Sequence, residues 1–143
     1  MAIVKSTGLK DSTNSTGSFV SVLNNMLINV YTGSAPSPNA AMTGTLLATI
    51  SLGGVTNTPL VFGSSSGGTL AMASGADWHG VNVASGTPGY FVAYNVGDTL
   101  GASTSAPRFT GTCGTSGTDM VLSAAAVVSG QNFPVTSFTY TPG

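Results

Sequence analysis

Charge is what this sequence has least of. Only 5% of its 143 residues are charged, against about 25% in an average globular domain. There is no Glu at all. Lys5, Lys10 and Arg108 stand against Asp11, Asp77, Asp98 and Asp119, for a net charge of −1. Three scattered basic residues cannot build the footprint that a phosphate backbone requires, so no nucleic-acid partner is expected. So little net charge leaves almost no repulsion between copies, and a homo-oligomer is expected. Disorder is excluded from the opposite side. Hydrophobic residues make up 41% of the chain and mean hydropathy is +0.33, whereas disordered chains combine low hydrophobicity with high net charge.

Cysteine is nearly absent too. The single Cys113 rules out a disulfide within the chain and a Cys-based zinc centre. In "RFTGTC" it reads as a small buried hydrophobe. No run approaches the 18 or so apolar residues of a membrane span, and "MAIVKSTGLKDSTNS" lacks the apolar centre of a signal peptide. A protein made in a cytoplasm, with no membrane partner, is the expectation. The acceptor-like Asn14-Ser15-Thr16 then reads as coincidence.

Titratable groups are equally scarce: one His and four Asp. Acid/base and nucleophilic sites need such groups in pairs. Asp77-Trp78-His79 is the one cluster, since residues i and i+2 of a strand share a face. "SSSGG" lacks the strand-turn-helix setting of a nucleophile elbow, and "GGTLAMASG" lacks the Lys of a phosphate loop. The chain is therefore expected not to be an enzyme, with no catalytic, cofactor-binding or metal-ligating residues and no cofactor.

What is present is strand. "MLINVYTG" (26–33), "TLLATISL" (45–52), "TPLVFG" (58–63) and "TLAMAS" (69–74) are short apolar runs punctuated by Gly, Pro, Asn and Ser. Further runs lie near 78–84, 89–96, 107–113, 118–128 and 133–141. "GVNVASGTPGYFVAYNV" (80–96) reads as a hairpin broken at Ser-Gly-Thr-Pro-Gly. Before the strands, Phe19, Val22 and Leu23 at i, i+3, i+4 predict one helix of about two turns, capped by Thr16 or Ser18 and ended by Asn24-Asn25. Residues 1–17 carry both lysines and little apolar pattern, and are expected to form an extended arm that orders on docking. The predicted architecture is all-β: one β-sandwich or jelly-roll-like domain over 18–143, one short N-terminal helix, and an N-terminal arm over 1–17.

Two sets of residues stand out as partner-binding candidates. Trp78, Tyr90 and Tyr94 could form an exposed aromatic platform for sugar rings, or fill the core of the domain. Lys5 and Lys10 could pair from the arm with acidic residues of a neighbouring subunit, or belong to a solvated tail.

Taken whole, the chain resembles a group of small tailed-bacteriophage virion proteins. The resemblance lies in "MAIVKSTGL", in "INVYTGSAP" followed by "LLATIS", in "WHGVNVASGTPGYFVAYNVGD" and in "APRFTGT", "SGTDMVLSAAAVVSGQ" and "SFTYT". Residues 8–17 and 53–68 are the least typical, and the group has no motif of binding residues to carry over. The resemblance implies a structural protein of the virion, made in the host bacterial cytoplasm. Its implied role is capsid decoration (cement), bound to the major capsid protein or another virion protein. A receptor- or glycan-binding β-module of a tail or head fibre is the alternative. The composition suits a cement role: a charge-poor surface loses little on desolvation, and many modest contacts on one particle add through effective concentration.

Overall fold

Strands form where β-branched and aromatic residues run together, and glycine-rich turns separate them. The computed structural model describes residues 3–16, 23, 25–63, 67–71 and 77–140. In chain order the elements are β1 (Val4–Lys5), α1 (Thr7–Thr16), β2 (Met26–Tyr31), β3 (Leu46–Leu52), β4 (Leu70–Ala71) and β5 (Trp78–His79). They are followed by β6 (Tyr90–Asn95), β7 (Arg108–Gly114), β8 (Met120–Leu122) and β9 (Val135–Tyr140). The nine strands join one hydrogen-bonded path, β4-β9-β8-β7-β6-β2-β3-β5, with β1 added to β7. Every pairing is antiparallel except β7 with β8. The all-β class with one short helix, counted among the described residues, is as expected. In place of two facing sheets, however, one mixed sheet curls on itself. The bridges Val81–Asn132 and Gly86–Val127 tie the segment after β5 to the segment before β9.

The inside of the curl holds the main core. Ile28, Val30, Ile50, Phe91, Phe109 and Phe138 are fully or almost fully buried there. Phe91, Phe109 and Phe138 meet edge-on or tilted, with centroids 5.4 to 6.3 Å apart, a geometry that aromatic quadrupoles favour. The opposite face of β2 and β6 is covered as well. Leu27, Val92, Tyr94 and Leu100 form a second cluster there, packed by Tyr31, Met42 and Val96. The central strands β2 and β6 are thus buried on both faces, which is why "MLINV", interrupted only by Asn29, and "YFVAY" show no apolar/polar alternation.

The N-terminal arm expected over 1–17 is corrected by the structure. Within it, Val4 and Lys5 pair with Thr110 and Phe109 of β7, and residues 7–16 are helical. The reason is Ser6. Its buried hydroxyl accepts from Leu9 N–H (3.1 Å) and Arg108 N–H (2.9 Å) and donates to Ala106 O (2.9 Å). That uses the full capacity of the group. It caps a helix of poor intrinsic propensity and fastens it to the start of β7. Ile3 and Leu9 then bury their side chains in the main core. The helix expected after Thr16 falls almost wholly outside the described residues; Leu23, which is described, is fully buried.

The hairpin read over 80–96 is also corrected. β5 pairs with β3, while β6 pairs with β2 and β7. At the start of β6, Gly89 donates its N–H to Tyr31 O (2.9 Å) and presses against the Gly33 carbonyl, where a Cβ could not fit. This close approach takes β6 to β2. Residues 80–86 are left to bond with 127–133. Of the apolar stretch 118–128, only Met120–Leu122 is a named strand, and 58–63 contains none.

Candidate functional site

The residues singled out in the sequence do not come together. Lys5 is half-buried on β1 and Lys10 exposed on α1, so both are fixed to docked elements. Of the two readings of Trp78, Tyr90 and Tyr94, the exposed platform is overturned and burial in the domain holds, because all three rings are buried. Trp78 lies in the main core, its indole N–H donating to Val61 O (3.1 Å), with Phe62 and Phe138 each 5.1 Å away between centroids. Tyr90 and Tyr94 belong to the opposite face. Tyr90 stacks on Tyr31 at 5.4 Å and 13°, and its hydroxyl is tied to the main chain of Thr43. Tyr94 donates to Asn29 Oδ1 at 2.9 Å, and burial pushes its phenol up to about 12.

Asp77, just before β5, and His79 on it do lie side by side. Their Oδ1 and Nδ1 atoms are 3.8 Å apart, beyond a hydrogen bond. Among the described residues no group of three His, Cys, Asp or Glu side chains could hold a metal ion. Cys113 is buried, and burial, with the nearby charge of Asp119, pushes its thiol up to about 12.

One buried feature carried no signal beyond its being the sole arginine. Arg108 is 1% exposed, and its Nε and Nη2 donate to the two oxygens of Asp98, both at 2.7 Å. Its Nη1 reaches the carbonyls of Pro38 (3.2 Å) and Ala40 (3.4 Å). The pair therefore clamps the loops before β3 and after β6 over the second cluster. Asp119 is turned inward as well, accepting from Thr112 N–H (3.0 Å) and Oγ1 (3.2 Å).

Two surface features stand out among the described residues. The first is apolar: Val81, Val83 and Val128 are 49%, 64% and 60% exposed. They stand on a hydrogen-bonded ladder. Asn82 N–H donates to Gln131 O (2.8 Å), its Nδ2 to Val128 O (3.1 Å), and Gly130 N–H returns to Asn82 O (2.8 Å). The second is a polar groove of about 350 Å³ on the face of β6, β2 and β3, lined by Leu27, Thr49, Ser51, Thr56, Asn57 and Tyr94. The register builds it. Tyr94 lies opposite Leu27 and Asn29 opposite Thr49, while Ser51 lies opposite His79 of β5. The tight loop after β3 rises beside this row, held by bonds from Gly54 N–H to Ser51 O (3.4 Å) and from Leu52 N–H to Thr58 O (3.2 Å).

Comparison of the chain with family models, with curated proteins and with solved structures gives no match.

Proposed function

We propose that the chain is a structural protein of a phage particle: a capsid decoration (cement) protein that binds the outer shell and stabilises it through many repeated protein–protein contacts. The observation that carries this reading is where the few charges lie. Of the seven charged side chains, Arg108, Asp98 and Asp119 are turned inward. The outside keeps Lys5, Lys10, Asp11 and Asp77, two of each sign. Every other exposed residue among those described is Ser, Thr, Asn, Gln, Gly, Ala or Val, including Val81, Val83 and Val128.

Such a surface has little ionic hydration to lose when covered. It also has backbone and hydroxyl groups for contact hydrogen bonds, and stable contacts of this kind bury about 1,200–2,000 Å². The whole-chain resemblance to small virion proteins supports the same role, with the major capsid protein or another virion protein as partner. The test is retention on purified particles. The protein should be present in many copies and stay bound through washes of rising salt, because so few charges are available to screen. Absence from washed particles, or release by moderate salt alone, overturns the reading.

A further inference from the structure

We infer that the groove over β6, β2 and β3 is a binding site for a single neutral sugar ring. Its volume of about 350 Å³ lies at the lower end of small-molecule pockets, roughly 300–1,000 Å³, so one ring and not a chain of them is the fitting size. The lining gives the ligand class. Leu27 and Tyr94 supply apolar surface, Thr49, Ser51 and Thr56 supply hydroxyls, and Asn57 an amide; among the described residues no charged side chain lines it. A ligand matching that set presents C–H groups on one side and several hydroxyls around its rim, with no charge.

The state of the hydroxyls separates this groove from a mere surface hollow. Ser51 is only 5% exposed, yet its hydroxyl makes no hydrogen bond with the described residues, although it lines the groove. Its oxygen is not among the buried polar atoms shut off without a partner; it opens onto the groove, where water or a ligand hydroxyl can bond to it. Behind it, Asn29 Oδ1 accepts from both Thr49 Oγ1 (2.8 Å) and Tyr94 Oη (2.9 Å). The protons of those two groups are thereby committed inward, and towards the groove their oxygens can only accept. Ser51, with its proton uncommitted, can donate or accept, and the Asn57 amide does both. The groove thus offers fixed acceptors beside adaptable groups, which suits a polyol, whose every hydroxyl is both donor and acceptor.

This site is independent of the shell role: particle retention tests that role, and ligand titration tests this one. The experiment is an amide-resolved NMR titration of the full chain with glucose, galactose, mannose and N-acetylglucosamine, each as free sugar and as methyl glycoside. At least one should give saturable shifts centred on the groove residues. Ser51→Ala should weaken that binding about tenfold, the effect of losing one hydrogen bond of about 1.4 kcal/mol. Asn57→Gly should do likewise, since Asn57 sits at φ 57°, where glycine is unstrained and the loop is kept. Trp78 emission verifies that both variants are folded. Binding of the methyl glycoside along with the free sugar identifies the ligand as the end of a glycan; binding of the free sugar alone identifies it as a monosaccharide. No saturable shift with any sugar overturns the inference. So do shifts away from the groove, or affinity unchanged in both folded variants.

Discussion

Replacing Asp98 with Asn puts a buried charge out of balance while changing almost no volume. Arg108 is 1% exposed, and two of its nitrogens are held at 2.7 Å by the Asp98 carboxylate. In Asp98→Asn the guanidinium stays buried and keeps its carbonyl partners but loses its counter-charge. Breaking such a pair from one side costs about 3–5 kcal/mol, a large share of the roughly 5–15 kcal/mol that holds a domain folded. At about 3 °C per kcal/mol for a chain of this length, Tm should fall by about 9–15 °C. The single tryptophan, buried in the core, makes its emission during urea or thermal unfolding a direct assay.

The pH dependence follows from the same pair. Burial alone would raise the Asp98 pKa, but the hydrogen bonds from Arg108 and Leu100 N–H and the charge of Arg108 outweigh it, leaving it below its ordinary 3.8. A depressed pKa in the folded state contributes stability above the unfolded value, lost as pH falls through the folded one. Wild-type stability should therefore drop in the acid range below about pH 4, and Asp98→Asn should flatten that part of the drop. The double variant Asp98→Leu/Arg108→Met should recover most of the loss, because a buried pair contributes little over apolar side chains of similar size. A single variant within 1 kcal/mol or so of wild type, with an unchanged acid limb, would refute the clamp.

Gly111→Ala should destabilise by about 1–3 kcal/mol through overpacking, since the new Cβ would lie 2.5 Å from Phe91 Cζ and 2.9 Å from Ile3 Cδ1; an unchanged urea midpoint would contradict this. Ser6→Ala removes the α1 cap and leaves Arg108 N–H and Ala106 O short of a partner. A loss of about 2 kcal/mol is expected from the cap and the orphaned groups together, measured in the same unfolding assay. Cys113 should resist alkylation at pH 8 in the native protein and react once urea unfolds it, because its thiol is buried and held up near 12; rapid native labelling would show the site to be open. Sedimentation at rising concentration should detect self-association that added salt barely changes, whereas a strictly monomeric species would count against a charge-poor surface made for protein contacts.

The strand content was legible because it rests on local signals. Runs such as "TLLATISL" and "PRFTGTC" end at glycines or prolines, and β3 and β7 begin or end within a residue of those punctuation points. Pairing was not legible. Whether Tyr90–Asn95 binds β5 or β2 depends on a contact between Gly89 and Gly33, 56 positions apart in the chain. The helix over 7–16 was hidden for a related reason. "TGLKDSTNST" has weak helix propensity, and its stability comes from a serine whose partners lie a hundred residues on. Trp78, Tyr90 and Tyr94 were visible as residues of interest, but composition could not say that the sheet would cover both their faces. The groove was invisible for the converse reason. Leu27, Ser51 and Tyr94 become neighbours only through the register of three strands.

The seam between Ser6 and the start of β7 also sets an order of events in the living cell. Its bonds span 100 and 102 positions, and a ribosome adds roughly 5–20 residues per second. Residues 3–16 of the nascent chain therefore wait roughly 5–20 s for their docking partner, with Ile3 and Leu9 bare to chaperones and to other copies. This segment is made early and docks late. A tag fused ahead of Ile3 would sit on this late-closing edge, where it would slow maturation far more than one carried on an exposed loop.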